Sequence, residues 1–289
     1  MLGMGIIMKS SRSLYNKIVG TIFRIVLLVN TVMVIYPLLW TILTSFKTNT
    51  EIMDNPWLLP KGLNLENYIE AFTKANIGSY SINSILVTLG SIALLVVMAV
   101  SSSYALARYK FPFRNLIKNI YMGGIFIQIT FIIIPLFLLM TRLHMNDSRF
   151  WLSLVYGVSQ LPFSVYLLIS FMKGIPRDYE NSAMIDGCGY TGAFIRIIVP
   201  LVKPGIITVV IFSFFAFWNE FPLALTLISS DSKKTLPIGL ANLMEVQRYA
   251  TDWGALFAGL VIVLVPTILV YMLTQDKLTK GMQLGGLKG

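Results

Sequence analysis

Few side chains in this chain are placed to do chemistry, and their spacing limits what that chemistry can be. Glu220, within Trp218-Asn219-Glu220-Phe221-Pro222, is the one acidic residue deep inside an apolar run. An ionisable group at such depth is costly unless it hydrogen-bonds, pairs or faces a polar cavity. Two roles fit it: lining a path for a hydrogen-bonding solute together with Gln128, Trp218 and Asn219, or, the better fit, pairing with a partner helix. A lone carboxylate cannot form the proton-sharing pair of an aspartyl protease. The single histidine, His144, falls in a short turn away from any buried serine, so no nucleophile meets a base. With one histidine and one cysteine, Cys188, a multi-thiolate or His-rich metal centre and an internal disulfide are also excluded. There is no G-x-x-x-x-G-K-[ST] loop, nor even a Gly-Lys dipeptide, so nothing cradles nucleotide phosphates. The chain is expected to be non-catalytic, without a resident metal or cofactor.

A second cluster lies between Lys173 and Lys203. Pro176 suits a helix start, Asp178 and Glu180 favour the positive end of a helix dipole, and Ala183, Met184 and Ile185 give a small apolar face before Gly187 and Gly189 end the segment. A second short helix is expected from about Thr191, with Phe194, Ile197 and Ile198 on its apolar stripe, until Pro200 and Pro204 lead onward. Two short helices joined by a glycine turn make a compact knob. It either lies on lipid headgroups or docks a soluble partner.

The elements that must position these residues follow from composition. Apolar residues make up 56% of the 289 positions and charged ones 12%, against about 25% charged in a soluble domain. A bilayer core about 30 Å thick takes about 20 apolar residues in a helix, because each amide must be satisfied within its own segment. Six stretches qualify: Gly20–Ser45, Ile82–Ala107, Ile120–Met140, Phe150–Met172, Gly205–Ser229 and Gly254–Leu273. The first is too long for a secretory signal and reads as a retained anchor.

Lys and Arg residues set the orientation, since the cytoplasmic side is enriched in them. Lys9, Arg12, Lys17 and Arg24, then Arg108, Lys110, Arg114 and Lys118, then Lys173, Arg177, Arg196 and Lys203, and finally Lys277, Lys280 and Lys288 fall on one side, leaving eight of the 23 on the other. Both termini are therefore expected in the cytoplasm, and the net charge of +10 needs no nucleic-acid partner. Pro37, Pro135, Pro162, Pro222 and Pro266 break five spans, which suggests a bundle that bends. The second span instead carries Gly90, Ser91, Ala93, Ala99, Ser101, Ser102 and Ser103, suited to close helix packing. The expected organisation is a cytoplasmic segment 1–19, a six-span domain 20–276 containing the loop 173–203, and a cytoplasmic tail 277–289.

Glu180-Asn181-Ser182-Ala183-Met184-Ile185-Asp186-Gly187, followed by Phe194, Ile198, Pro200 and Pro204, resembles the "EAA" loop of ABC importer permeases. It departs from that pattern at Asn181 and Ser182, where alanines are usual. Asn67-Tyr68-Ile69-Glu70-Ala71-Phe72 with Asn83-Ser84, Tyr104-Ala105-Leu106-Ala107-Arg108, Trp218-Asn219-Glu220-Phe221 and the ending Gly285-Gly286-Leu287-Lys288-Gly289 are similar to carbohydrate-type importers, in particular the six-helix permease subunit of the maltose-transporter group. The resemblance implies an all-α, multi-pass protein of a bacterial or archaeal plasma membrane, forming half of a translocation pore with a second, homologous permease subunit. It further implies two ATP-binding-cassette ATPase subunits that carry ATP and Mg, an extracellular solute-binding protein and a sugar substrate. On the same basis Glu180, Ala183, Met184, Asp186, Gly187 and Pro200 would couple to the ATPase, and Gly285, Gly286, Leu287, Lys288 and Gly289 would reach into it. From the residues alone, a secondary carrier or channel for a small polar solute, working without an ATPase, stays open beside this reading. Internal repeats and multiple buried acidic groups, common in ion-coupled carriers, are not found.

Overall fold

The computed structural model describes residues 2–73, 76–246 and 252–286, with side chains placed over 19–73, 76–244 and 252–278. Every regular element among them is helical: α1 (Leu2–Thr44), α2 (Asn49–Asp54), α3 (Glu66–Thr73), α4 (Ile77–Arg108), α5 (Arg114–Gly124), α6 (Ile129–Arg142), α7 (Arg149–Lys173), α8 (Asp178–Ile185), α9 (Tyr190–Ala193), a widened π-turn (Phe194–Ile198), α10 (Val199–Trp218), α11 (Pro222–Leu227), a 3-10 turn (Asp231–Lys233), α12 (Leu236–Val246) and α13 (Trp253–Gly286). Five stretches among the described residues are long and apolar enough to cross a bilayer, and α5 with α6 meets the same measure only as a pair bent through 108°, the geometry of a broken span or a re-entrant loop. In lipid an apolar run of this length is stable only as a helix, because no water is at hand to satisfy open amides.

The core lies where α4, α7 and α10 meet. Leu95, Val165, Leu168, Met172, Ile198 and Val202 are all fully buried there. Small residues set the separation of α4 and α7: a Cβ at Gly157 would lie 3.3 Å from the Ser91 carbonyl, and one at Gly90 equally near the Ser153 hydroxyl. Ser103 adds an interhelical bond, its hydroxyl donating to the Val165 carbonyl at 3.3 Å. Ala93 and Ser101 of the same span face outward. By contrast, none of the apolar window within α1 is buried. α1 meets the bundle chiefly along α13, where the Trp40 and Phe257 rings stand edge to face at 5.3 Å.

Three expectations change. The third span is not one helix but turns through 108° between Gly124 and Ile129. Gly123 and Gly124 are weak helix formers, and Pro162 of α7 lies so close that a Cβ on Gly124 would stand 2.9 Å from its ring. The fifth span stops at Trp218 and resumes as the short α11, since Pro222 has no amide to carry the ladder on. The second short helix of the 173–203 loop is not separate: α9 runs through the π-turn into α10 without a gap. A widened turn is how a helix admits a residue with no donor, here Pro200 in the first turn of α10.

The segment between α1 and α4 packs against the bundle. Asn67 Nδ2 donates to the carbonyls of Ser45 (2.7 Å) and Lys47 (2.8 Å), while Lys47 Nζ and Trp40 Nε1 both reach the Pro56 carbonyl. Trp57 and Phe72 remain exposed. At the same end Asp147, between α6 and α7, forms a latch to the segment after α11. It accepts from Lys233 Nζ at 2.7 Å, from the Ser230 hydroxyl and from the amides of Ser229 and Ser230. Partial burial pushes its pKa up, but those four donors outweigh burial and hold the carboxyl below the usual carboxylate range.

Candidate functional site

The breaks in the third and fifth spans open onto one cavity, of about 380 Å³, with α7 forming its third wall. Gln128, at the start of α6, lines it together with Tyr156, Ser159 and Gln160 of α7 and Glu220 beyond the end of α10. Phe163 and Phe217 supply ring surface. Neither Gln128 nor Gln160 spends its side-chain amide on a protein partner among the described residues. Two free amides, hydroxyls and aromatic faces in one cavity form a set able to both donate to and accept from a polyhydroxylated solute while stacking on its apolar face.

Glu220 is held from three directions. Tyr156 Oη donates to Oε2 at 2.5 Å, and the amides of Leu223 and Ala224 donate to Oε1 at 2.7 Å and to Oε2 at 3.0 Å. The local sequence dictates this. Pro222 opens α11 without an amide of its own, which leaves the next two N–H groups unpartnered within the helix, and a carboxylate two residues upstream reaches both. Tyr156 is fully buried and stacks on Phe217 at a centroid distance of 5.6 Å. Glu220 therefore caps α11, bonds to the neighbouring α7 and shows part of its carboxylate to the cavity. Trp218 and Asn219 do not join it. Trp218 is buried on the opposite side, its Nε1 donating to the Val263 carbonyl at 3.1 Å, and Asn219 Nδ2 turns back to the Phe215 carbonyl at 2.9 Å.

The second site is the knob built by α8 and α9. Gly187, at φ +82°, ends α8 in the left-handed conformation. The Gly187 amide donates to the Met184 carbonyl and the Cys188 amide to the Ala183 carbonyl, the paired bonds of a Schellman cap. Ala183 and Glu180 face inward. The Glu180 carboxylate lies 3.3 Å from Arg108 Nε at the end of α4, ionic in contact though out of hydrogen-bond alignment, with both side chains about nine-tenths buried. Arg108 also donates to the Ile175 carbonyl at 2.9 Å, and Arg177 donates to the Arg108 carbonyl at 2.9 Å. Tyr104 stacks on Phe194 at 4.6 Å, fixing α4 to the π-turn as well. The outer surface carries large apolar side chains among polar ones: Tyr179, Ile185 and Tyr190 are each more than half exposed, with Met184, Asp178, Asn181, Ser182 and Asp186 beside them. Pro200 sits apart, in the first turn of α10. Gly285 and Gly286 close α13, and Leu287, Lys288 and Gly289 lie outside the described residues.

Three residues of these sites have no role in the sequence reading beyond topology or helix contact: Arg108, Tyr156 and Gln160. For Tyr156 a signal was present, since a phenol hydroxyl inside a charge-free span must find a partner. For Arg108 the only hint is a cation at the very end of an apolar run.

Residues 100–283 match the profile of the family described as binding-protein-dependent transport system inner membrane component. The chain is 36% identical over 266 residues to the diacetylchitobiose uptake system permease protein NgcG of Streptomyces coelicolor, covering 92% of this chain and 88% of that protein. It is also 36% identical over 257 residues to the sulfoquinovosyl glycerol transport system permease protein SmoH of Agrobacterium fabrum (88% and 89%), and 30% identical over 253 residues to the trehalose transport system permease protein SugB of Mycobacterium tuberculosis (88% and 92%). Its fold matches a chain in the crystal structure of a bacterial ABC transporter involved in import of the acidic polysaccharide alginate, with a TM-score of 0.82, 20% identity and coverage of 90% of this chain and 96% of that one.

Proposed function

The chain belongs to the binding-protein-dependent transport system inner membrane component family, and on that premise we propose that it forms half of the pore of an ATP-driven importer for a sugar or oligosaccharide. It is a multi-pass membrane permease component. A second permease subunit completes the pore, two ATPase subunits carrying ATP and Mg dock on the cytoplasmic side where both termini lie, and an extracellular solute-binding protein delivers the substrate. Chemistry on ATP belongs to those partners, and this chain contributes none. Named substrates of the relatives are a chitobiose derivative, a sulfosugar glycerol conjugate and trehalose. All are polyhydroxylated, as the free amides and aromatic rings of the central cavity favour.

The observation that carries the coupling role is the knob: an exposed surface with large apolar side chains on α8, braced from behind by a buried ion pair. Tyr179, Met184 and Ile185 meet the ATPase, while Glu180, Ala183 and Gly187 keep the surface in shape. From Tyr190 to Trp218 the backbone is one helical rod of 29 residues, about 43 Å long at the usual rise per residue. Its inner end is the knob and its outer end is the cavity wall that carries Glu220. Displacement of the knob on ATP binding is thus delivered toward the solute site along a helix continuous from the π-turn to Trp218, and through Arg108 to α4 as well. Energy enters by differential contact with the two ATPase states. Gln128 and Glu220 are the polar elements of the path supplied by this chain, and the tail residues Gly285, Gly286, Leu287, Lys288 and Gly289 contact the ATPase pair.

The test is purification of the complex from its native membrane with and without Ile185→Asp, which charges the exposed face and leaves the Arg108–Glu180 brace intact. The expected outcome is loss of the ATP-hydrolysing subunits and of transport, with this chain still folded. Isolation of the unaltered chain with no nucleotide-hydrolysing partner would overturn the reading.

A further inference from the structure

At the end of the bundle that carries α8, one face of α5 and one face of α7 enclose a smaller cavity of about 110 Å³. α5 presents Lys118, Tyr121 and Met122, at positions i, i+3 and i+4, and α7 presents Tyr166, Ile169 and Lys173 on successive turns. The ion pairs among the described residues are Arg108–Glu180, Lys233–Asp147 and Lys234–Asp231. Lys118 and Lys173 take part in none of them. Two ammonium groups on one small cavity repel each other, and an anion between them turns that repulsion into attraction.

Depth decides what kind of anion. Lys173 closes α7, where the helix leaves the apolar layer, and Lys118 lies one turn into α5, whose other face exposes Leu116, Ile117 and Ile120. Both lysines thus stand at headgroup level with Tyr121 beside Lys118, and Met122 and Ile169 lie one turn deeper, ahead of Tyr166 and Val165. Polar above and apolar below is the profile of an amphiphile with an anionic head. The volume admits a phosphate-sized group but not a sugar chain, which separates this cavity from the larger one at Gln128 and Glu220. We propose that it is a binding site for an anionic phospholipid, with the phosphate held between Lys118 and Lys173 and an acyl chain running along Met122 and Ile169. Basic pockets between membrane helices recognise such headgroups elsewhere. The bound lipid bridges α5 to α7 directly beside the break at Gly124, so its presence stabilises one setting of that break. Lipid binding rests on the membrane placement of the chain and not on its ATPase partners, although the choice of inner leaflet does rest on the proposed orientation.

The experiment uses the full chain with its co-purifying subunits in phosphatidylcholine nanodiscs, titrated with a fluorescent phosphatidylglycerol. Saturable binding is expected, weakened about fivefold by Lys118→Gln or Lys173→Gln and about thirtyfold by both, from about 1 kcal/mol per basic residue near a membrane anion. The double substitution to Arg retains binding, Lys61→Gln leaves it unchanged, and millimolar inorganic phosphate does not displace the lipid. Undiminished affinity in the double Gln variant overturns the site, and displacement by inorganic phosphate reassigns it to a free anion and overturns the lipid claim. If ATPase subunits fail to co-purify while the lipid effect persists, the transport reading fails and this site stands.

Discussion

Glu220 and Glu180 show how one residue type acquires different work from its neighbours. Glu220 is fixed by Tyr156 and by two amides of α11, so Tyr156→Phe removes one of its three donors and should cost about 1–2 kcal/mol. Because the carboxylate also faces the cavity proposed for the solute, thermal unfolding in detergent and the KM for transport should shift together. A shift in melting temperature alone would assign Glu220 to helix capping and nothing more. Glu180 is braced by a buried cation instead. Arg108→Gln leaves that carboxylate buried without its counter-ion and should destabilise by about 3 kcal/mol. The double variant with Glu180→Gln should recover part of the loss, as a double-mutant cycle would read out. Glu220 was visible in the sequence as the one charge in an apolar run. Its partner was not, and neither was the pairing of Arg108 with Glu180, because residues 72 positions apart meet only once α4 and α8 are folded.

Hydropathy located the helices because any residue facing lipid must be apolar, and the fourth span, expected at Phe150–Met172, is found as Arg149–Lys173. The same measure failed at Gly124 to Ile129. Every residue in that stretch is as apolar as a straight span requires apart from Gln128, while the two weak helix formers Gly123 and Gly124 and the close approach of Pro162 from another helix stand at the bend and leave no mark on hydropathy. Gly124→Ala places a methyl group 2.9 Å from the Pro162 ring. Overpacking of this kind costs about 1–3 kcal/mol. The expected outcome is a lower melting temperature and slowed transport, both recovered in part by Pro162→Ala, which removes the obstructing ring. No recovery in the double variant would mean that the bend has another cause. The fusion of α9 to α10 was likewise hidden, since Pro200 and Pro204 read as stops in sequence and are absorbed by the π-turn in the fold.

At the scale of the whole molecule, the end of the bundle that carries Asp147 holds a pH-sensitive latch. A carboxyl whose folded pKa lies below its unfolded value of about 3.9 adds stability above that value and loses it as pH falls toward the folded one. The Asp147 latch is of this kind. Stability of that end should therefore be flat from neutral pH to about pH 5 and weaken only below about pH 4, whereas Asp147→Asn should lower the neutral-pH melting temperature and flatten the acid limb. A melting temperature that falls already between pH 7 and pH 6 would contradict that assignment. The arrangement of α1 governs the order of assembly. It is made before every other described helix, whereas its main intrachain neighbour, α13, follows them all. Until α13 is made, α1 must persist as a solitary lipid-immersed rod, which its 26-residue apolar stretch Val19–Thr44 suits, and a nascent chain released before α13 emerges would keep that rod unmoored, an open signal by which membrane proteases could recognise unfinished copies.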